Sequence, residues 1–215
     1  MSDFAAEAET IIKQYPKLNL IEKSGIKLLS GEIDLIDELG VLLDTYQLEI
    51  SPSDGYPFMF PKVFETGGKL PVNIDWHVYE DDGRCCIKIP PEETLICING
   101  ITLHDFIKNE LIPYLFNQTY RRENGYYINE RSHGVIGLVE YYGEKLNTSN
   151  VTEIIRLLGF ILNKSEPDRV AQCFCGKNEK YRRCHREAFR LLSQIKKNDL
   201  ALHVKLIINS YTGKT

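Results

Sequence analysis

The sequence lacks the features that would place it in a membrane or mark it for export. No apolar run among its 215 residues approaches the roughly 18 residues that a membrane-spanning helix needs. The first residues, MSDFAAEAETII, are acidic, whereas a secretory signal begins with basic residues. No internal repeat and no low-complexity tract interrupts the chain. We therefore expect a cytoplasmic protein without a membrane partner.

The cysteines are the informative part of an otherwise ordinary composition. Apolar residues make up 43% of the chain and the formal net charge is −4, which fits one domain of moderate size with a small appendage. Six cysteines in a chain without an export signal argue against a disulfide framework. They favour metal binding or catalysis instead.

Positive charge is concentrated towards the carboxyl terminus. Residues 177–197 contain eight Lys and Arg against two acids, whereas the first 160 residues are acidic. Such a segment could contact nucleic acid or an acidic partner, and a solvated helix face is the alternative.

The hydrophobic pattern predicts an α+β fold that begins with a helix. Ser2 is the expected cap and Pro16 the expected end of this helix, whose inward face carries Phe4, Ala8, Ile11, Ile12 and Tyr15. Residues 26–51 then predict an antiparallel meander of short strands, separated at Gly31 and at residues 38–40.

A proline-containing segment follows the predicted strands. Pro57 and Pro61 exclude a central strand and predict an extended crossing segment, which contacts the core through Phe58, Phe60 and Val63.

The second half of the chain predicts helices. Thr102 and Asp105 form a reciprocal cap, and Pro113 is expected to end or kink the helix that they begin. Two further helices are predicted at 135–146 and 151–162, and a helical turn at 188–197. Residues 200–209 fit a helix or a strand equally.

A cluster of metal-binding residue types follows a predicted linker at 163–169. Three thiolates and an imidazole are a common tetrahedral zinc set. Gly176 permits the tight turn that brings two sulfurs to one ion. Four protein ligands fill the coordination shell, so we expect one structural Zn²⁺, held by Cys173, Cys175, Cys184 and His185.

This cluster resembles the SEC-C motif, a small accessory zinc module. The pattern Cys-x-Cys-Gly occurs at 173–176, a Lys-Tyr pair at 180–181, and Cys-His at 184–185. The resemblance implies a zinc unit for partner or nucleic-acid contact, and it predicts two domains, 1–163 and 164–215.

The stretch WHVYEDDGRCCIKIP, residues 76–90, contains the candidate nucleophile. Cys86 follows an acidic turn that ends at Gly83, and an exposed thiolate there would be nucleophilic, whereas a cysteine among aliphatic residues is more often buried. Cys85 should lie on the opposite face of the strand. We expect Cys85 and Cys97 to be core residues.

Residues 1–163 resemble the ubiquitin-conjugating (UBC) fold, in which an N-terminal helix precedes a four-stranded meander. The segment YPFMFPKV at 56–63, His77, and Gly83 three residues before Cys86 match the family pattern. Residues 130–134, ERSHG, resemble the bacterial conjugating-enzyme-like branch, often encoded beside activating-enzyme, ubiquitin-like or anti-phage signalling genes.

The resemblance implies a thioester-transferring enzyme. Cys86 would take a ubiquitin-like protein from an activating enzyme and pass it to an amine of a target protein. His77 would order the loop, Tyr79 would donate to the oxyanion, and His133 would accept a proton. Packing or capping roles remain open for all three.

The sequence departs from the family where it has Val78 and Tyr79 in place of the Pro and Asn that follow the family's histidine. Because the family's Asn is implicated in amine attack, its absence bears on isopeptide formation and leaves thioester formation as expected. An inactive UBC-like binding module, an adaptor acting through its zinc unit and a cysteine hydrolase are the alternatives.

Overall fold

The computed structural model describes residues 3–128 and 131–213, apart from the side chain of Thr212. These residues form two compact units. The first comprises 3–88 and 96–128, and the second comprises 89–95 and 131–213. Whether 164–215 folds as a domain of its own, as predicted from the sequence, remains a prediction.

The described part of the chain has α+β structure, as expected. In chain order its helices and strands are α1 (Phe4–Gln14), β1 (Leu18–Lys23), β2 (Ile26–Ile36), β3 (Leu42–Ser51), β4 (Lys62–Glu65), α2 (Pro90–Ile96), α3 (Leu103–Phe106), α4 (Ile112–Asn124), α5 (Gly134–Leu146), α6 (Val151–Asn163), α7 (Arg186–Leu192) and α8 (Lys197–Thr212).

The first unit contains one antiparallel sheet in the order β1-β2-β3-β4. The predicted separation at Gly31 is wrong, because β2 continues through this residue and pairs with β3 from Leu29 to Ile36. Gly31 has a φ of +144°, and a Cβ there would lie 2.1 Å from the carbonyl oxygen of Lys17. The glycine therefore allows β1, which the pattern did not predict, to approach β2.

The proline-containing segment is partly as predicted. Phe60 and Val63 are buried and β4 is an edge strand, but Phe58 is 57% exposed. The N–H of Phe58 donates to the carbonyl of Gly55 at 2.7 Å, so this stretch is a turn. Because the chain is not extended there, its side chains do not alternate between buried and exposed positions.

The helices of the first unit complete its core. Phe4, Ala8 and Ile11 of α1 are buried in it, as predicted, although Asp3 caps this helix and Ser2 lies outside the described residues. Cys85 and Cys97 are also buried in this core, which confirms both expectations.

Pro113 does not end the helical segment. Thr102 and Asp105 form the predicted cap of α3, and residues Ile107–Leu111 then form a π-helical segment that leads into α4. A proline lacks the amide donor and crowds the carbonyl four residues back. The wider π turn relieves that crowding, so α4 continues to Asn124.

An acidic residue of β3 connects the sheet to α4. Asp44 accepts hydrogen bonds from Arg122 at 2.6 Å and Thr119 at 3.0 Å, and it pairs with Lys69. The Thr119 hydroxyl also lies 2.9 Å from that of Tyr46. This network fixes α4, the helix that carries several residues of the candidate site.

The second unit is built around α5, α6 and α8, which contact one another. The predicted helices at 135–146 and 151–162 are confirmed, and residues 200–209 are helical within α8. Its core also contains Cys173, Cys175 and Tyr181. The candidate metal-binding segment thus shares a core with α5 and α6.

Among the residues that the structure describes, no helix is long and apolar enough to cross a membrane.

Candidate metal centre and candidate cysteine site

The four predicted metal ligands lie together in the second unit. Their donor atoms are all within 4.8 Å of one another, in the group Cys173, Cys175, Cys184 and His185. Zn–S bonds of about 2.3 Å and a Zn–N bond of about 2.0 Å at tetrahedral angles place two sulfurs about 3.8 Å apart and a sulfur and nitrogen about 3.5 Å apart. The observed Cys175–Cys184 sulfur distance is 3.7 Å and the Cys173 Sγ–His185 Nδ1 distance is 3.4 Å. The residues can therefore bind one metal ion.

The imidazole of His185 is oriented as a ligand by its second nitrogen. Nε2 lies 2.9 Å from the carbonyl oxygen of Leu146 at the end of α5. Because a carbonyl only accepts, Nε2 carries the proton and Nδ1 presents its lone pair to the cysteine sulfurs. This bond connects the centre to α5.

The loop between the first two cysteines is held by α6. The guanidinium of Arg156 donates to the carbonyls of Phe174 and Cys175, both at 2.9 Å. The Phe174 ring stacks on Phe160 at 4.4 Å. Gly176 has a φ of +88°, which supports the tight turn expected there.

The thiols influence one another's protonation. Burial and then the neighbouring thiols Cys173 and Cys175 raise the pKa of Cys184 to about 12. Burial also opposes ionisation of Cys173, but backbone hydrogen bonds from Cys175 and His185, together with side-chain hydrogen bonds from Cys175 and Cys184, lower the pKa of that thiol. A cation would compensate the charge of further thiolates.

Cys86 lies at the end of a loop in the first unit that backbone hydrogen bonds hold closed. The N–H of Cys86 donates to the carbonyl of His77 at 2.7 Å, and the N–H of Tyr79 donates to the carbonyl of Arg84 at 2.9 Å. Val78 and Cys85 form an antiparallel bridge between these two bonds. Gly83 has a φ of +78° and closes the turn.

Two of the predicted site residues lie beside the sulfur of Cys86. Its thiol donates to the Tyr79 hydroxyl oxygen at 3.3 Å, and a ring nitrogen of His77 lies within 4.8 Å of it. Cys86 is only 9% exposed. The structure thus brings together Cys86, Tyr79 and His77.

The adjacent thiol is unsuited to nucleophilic chemistry. Burial raises the pKa of Cys85 to about 11, although a hydrogen bond with Tyr114 acts in the opposite direction. Because the thiolate is the nucleophile, a buried thiol with a raised pKa is a weak nucleophile at neutral pH.

His133 belongs to the second unit and is the residue before α5. Its side chain makes no capping hydrogen bond to this helix, and its proposed proton-accepting role remains a prediction. Glu130, part of the ERSHG resemblance, lies outside the described residues.

Sequence reasoning missed the α4 residues that hold the loop of Cys86. Tyr114 donates to the carbonyl of His77 at 2.9 Å, and Gln118 donates to that of Trp76 at 3.0 Å. Gln118 is buried and follows Leu111 and Leu115 at helical spacing. The sequence signal that could have identified Gln118 was its position as a polar residue on the apolar face of a predicted helix.

No protein-family model, no curated protein and no solved structure matches this chain.

Proposed function

We propose that residues 1–163 form a UBC-like domain whose Cys86 carries a ubiquitin-like protein as a thioester. The observation that carries this proposal is the position of Cys86 at the end of a closed loop, with the Tyr79 hydroxyl 3.3 Å from its sulfur. The preceding helix and four-stranded meander support the resemblance to the UBC fold.

The proposed reaction has two acyl transfers. Cys86 thiolate attacks the thioester carbonyl presented by an activating enzyme, and a new S–C bond forms. The S–C bond to the activating enzyme breaks, and the cysteine thiolate of that enzyme leaves and takes a proton. An amine of the target then attacks the carbonyl, the C–N bond forms and Cys86 leaves as thiolate. The amine's surplus proton goes to a base, for which His133 is our candidate.

Tyr79 has a chemical role in each of the two transfers. Its hydroxyl donates to the thiolate once Cys86 has lost its proton, which favours the nucleophilic form. When the carbonyl is attached to sulfur, the same donor is beside the developing oxyanion. Tyr79 would thus replace the Asn that the family has after its histidine.

A charging assay tests the proposal. The protein is incubated with ATP, an activating-enzyme-like protein and a ubiquitin-like protein encoded beside it, and adducts are resolved on non-reducing gels and by intact mass. We expect an adduct that thiol reductant removes. It should be absent from Cys86→Ala and present in the control Cys85→Ala. If the activating enzyme charges itself and no adduct forms on this protein, the proposal is wrong.

The low exposure of Cys86 favours a second candidate, a catalytically inactive UBC-like binding or adaptor module. A packed thiol in a folded protein resists alkylation, so a slow reaction of Cys86 with iodoacetamide, together with an absent adduct, would support this candidate. The partner would then contact other surfaces, including the basic segment at 177–197.

For residues 164–215, which lie within the second unit, we propose a SEC-C-like module with one structural Zn²⁺. Three sulfurs and one nitrogen favour zinc over the oxygen-binding cations. Native mass spectrometry should find one zinc per chain, and Cys175→Ser should lose it. A different metal, or none, would contradict the assignment. The wider setting, a cytoplasmic bacterial conjugation or anti-phage system, follows from the resemblance alone.

A further inference from the structure

Three consecutive carbonyls before the cysteine loop are each bound by a side chain of α4. Arg121 donates to the carbonyl of Asp75, Gln118 to that of Trp76 and Tyr114 to that of His77. Positions 114, 118 and 121 lie on one face of a helix. We call these three side chains the α4 clamp.

The α4 clamp holds His77 in a left-handed backbone conformation, which residues other than glycine rarely adopt. His77 has φ +51° and ψ +41°, the left-handed region that non-glycine residues enter only when their surroundings hold them there. In this conformation its carbonyl accepts both the hydroxyl of Tyr114 and the N–H of Cys86. The backbone at Cys86 is therefore attached to α4 through a single oxygen atom.

Arg121 also connects the clamp to the ring of His77. Its guanidinium lies between two aromatic rings, 4.3 Å from the centre of Trp76 and 4.6 Å from that of Tyr127. The Tyr127 ring meets the His77 ring edge to face at 4.9 Å. Its hydroxyl donates to Gln118 Oε1 at 2.9 Å, so the same clamp residues hold backbone and imidazole together.

We propose that Arg121 is a positioning residue for Cys86, acting through His77 and Tyr127. The proposal deepens the proposed function, since it rests on Cys86 as the reacting group. Within its own unit, the titratable groups near Cys86 include Tyr79, His77, Cys85 and Tyr114. Arg121 contacts the Asp75 carbonyl and the rings of Trp76 and Tyr127. A variant that keeps the charge of Arg121 therefore separates an effect of the loop from an effect of the charge.

The test is the pH profile of Cys86 alkylation in the full-length, zinc-loaded protein. Iodoacetamide labelling is followed by peptide mass spectrometry, so that Cys86 is read separately from the other cysteines. In Arg121→Met we expect a higher midpoint pH, because a looser loop weakens the contact of the Cys86 sulfur with the Tyr79 hydroxyl, which favours the thiolate. Each pH unit of that shift would make labelling at pH 7 about tenfold slower. Arg121→Lys should behave similarly, because it keeps the charge and loses the planar stacking.

Arg122→Met is the matched control, because the neighbouring arginine pairs with Asp44 instead. Its profile should equal that of the wild type. Tyr127→Phe keeps the ring against His77 and removes only the bond to Gln118, so a smaller shift in the same direction is expected even if Arg121→Met does not fold. Unchanged profiles in Tyr127→Phe and in a folded Arg121 variant, or an equal shift in Arg122→Met, would overturn the proposal.

The charging assay separates this proposal from the proposed function. If wild-type protein forms no thioester while Arg121→Met still moves the alkylation midpoint, the positioning role stands and the conjugating activity does not. If the wild-type protein forms the thioester adduct and the alkylation midpoint of Arg121→Met is unchanged, the conjugating activity stands and the positioning role does not.

Discussion

A buried hydrogen bond between Tyr142 and His203 joins α5 to α8 in the second unit. The Tyr142 hydroxyl lies 2.7 Å from His203 Nδ1, and both side chains are buried. Burial lowers the pKa of His203, although Asp199 acts in the opposite direction. Neutral His203 therefore accepts a hydrogen bond from the hydroxyl of Tyr142, whose own pKa is raised by burial.

This pair should make the second unit less stable in acid. A histidine whose pKa is lower in the folded state stabilises the fold fully above its unfolded pKa, about 6.5, and loses that contribution as pH falls below it. One proton changes the free energy of unfolding by at most about 1.4 kcal/mol per pH unit. We expect the stability difference between wild type and His203→Gln to shrink from pH 7.5 to 5.5, measured by urea unfolding.

Loss of the proposed zinc at low pH would weaken wild type and His203→Gln alike, so their difference isolates the histidine. A difference that is constant between the two pH values would show that His203 does not titrate in this window.

The sequence predicted the Cys/His cluster more fully than the surroundings of Cys86. Its four residues fall within thirteen positions, and chemistry restricts which residue types bind zinc. The α4 clamp joins residues about forty positions apart through backbone carbonyls, which every residue has. Nothing in the sequence at 75–77 marks those carbonyls as acceptors.

Among the secondary-structure elements, β2 depends on Gly31, because only a residue without a side chain fits at this position. We expect Gly31→Ala to lower the free energy of unfolding of the first unit by about 3 kcal/mol or more, because the new Cβ meets the Lys17 carbonyl. Urea unfolding followed by the fluorescence of Trp76, the single tryptophan, measures this.

Gly40→Ala is the control for Gly31→Ala. Gly40 also has a positive φ, but nothing lies within 4 Å of its added Cβ, so only the backbone penalty of about 1–2 kcal/mol remains. Equal losses in the two variants would mean that β1 moves aside at little cost.

Element boundaries were predictable where the pattern was regular and unpredictable where the backbone deviates from it. Residues 135–146 and 151–162 keep a helical period and were assigned within one residue at each end. β1 was missed because its six residues show no clear alternation of burial. At Pro113 the sequence could not indicate that a π turn precedes the proline.

For the whole molecule, the two units should respond differently to metal removal. A structural zinc contributes on the order of 10 kcal/mol in small zinc-dependent folds, and the Cys/His cluster shares its core with α5, α6 and α8. We expect a chelator to reduce the helical circular dichroism signal. Trp76 lies in the first unit, so its fluorescence should stay unchanged.

Re-addition of zinc should restore the helical signal, and Cys175→Ser should start from the reduced level. A shift of Trp76 emission at the same chelator concentration would show instead that the units unfold together.

The path of the chain between the units has a consequence for inheritance. Residues Ile89–Leu95 belong to the second unit, whereas the residues on either side belong to the first. A gene rearrangement that exchanged the second unit as a whole would have to replace two separate coding segments, one of them only seven codons long. Because that short segment begins three residues after Cys86, such an exchange would join new sequence to the chain directly beside the candidate nucleophile.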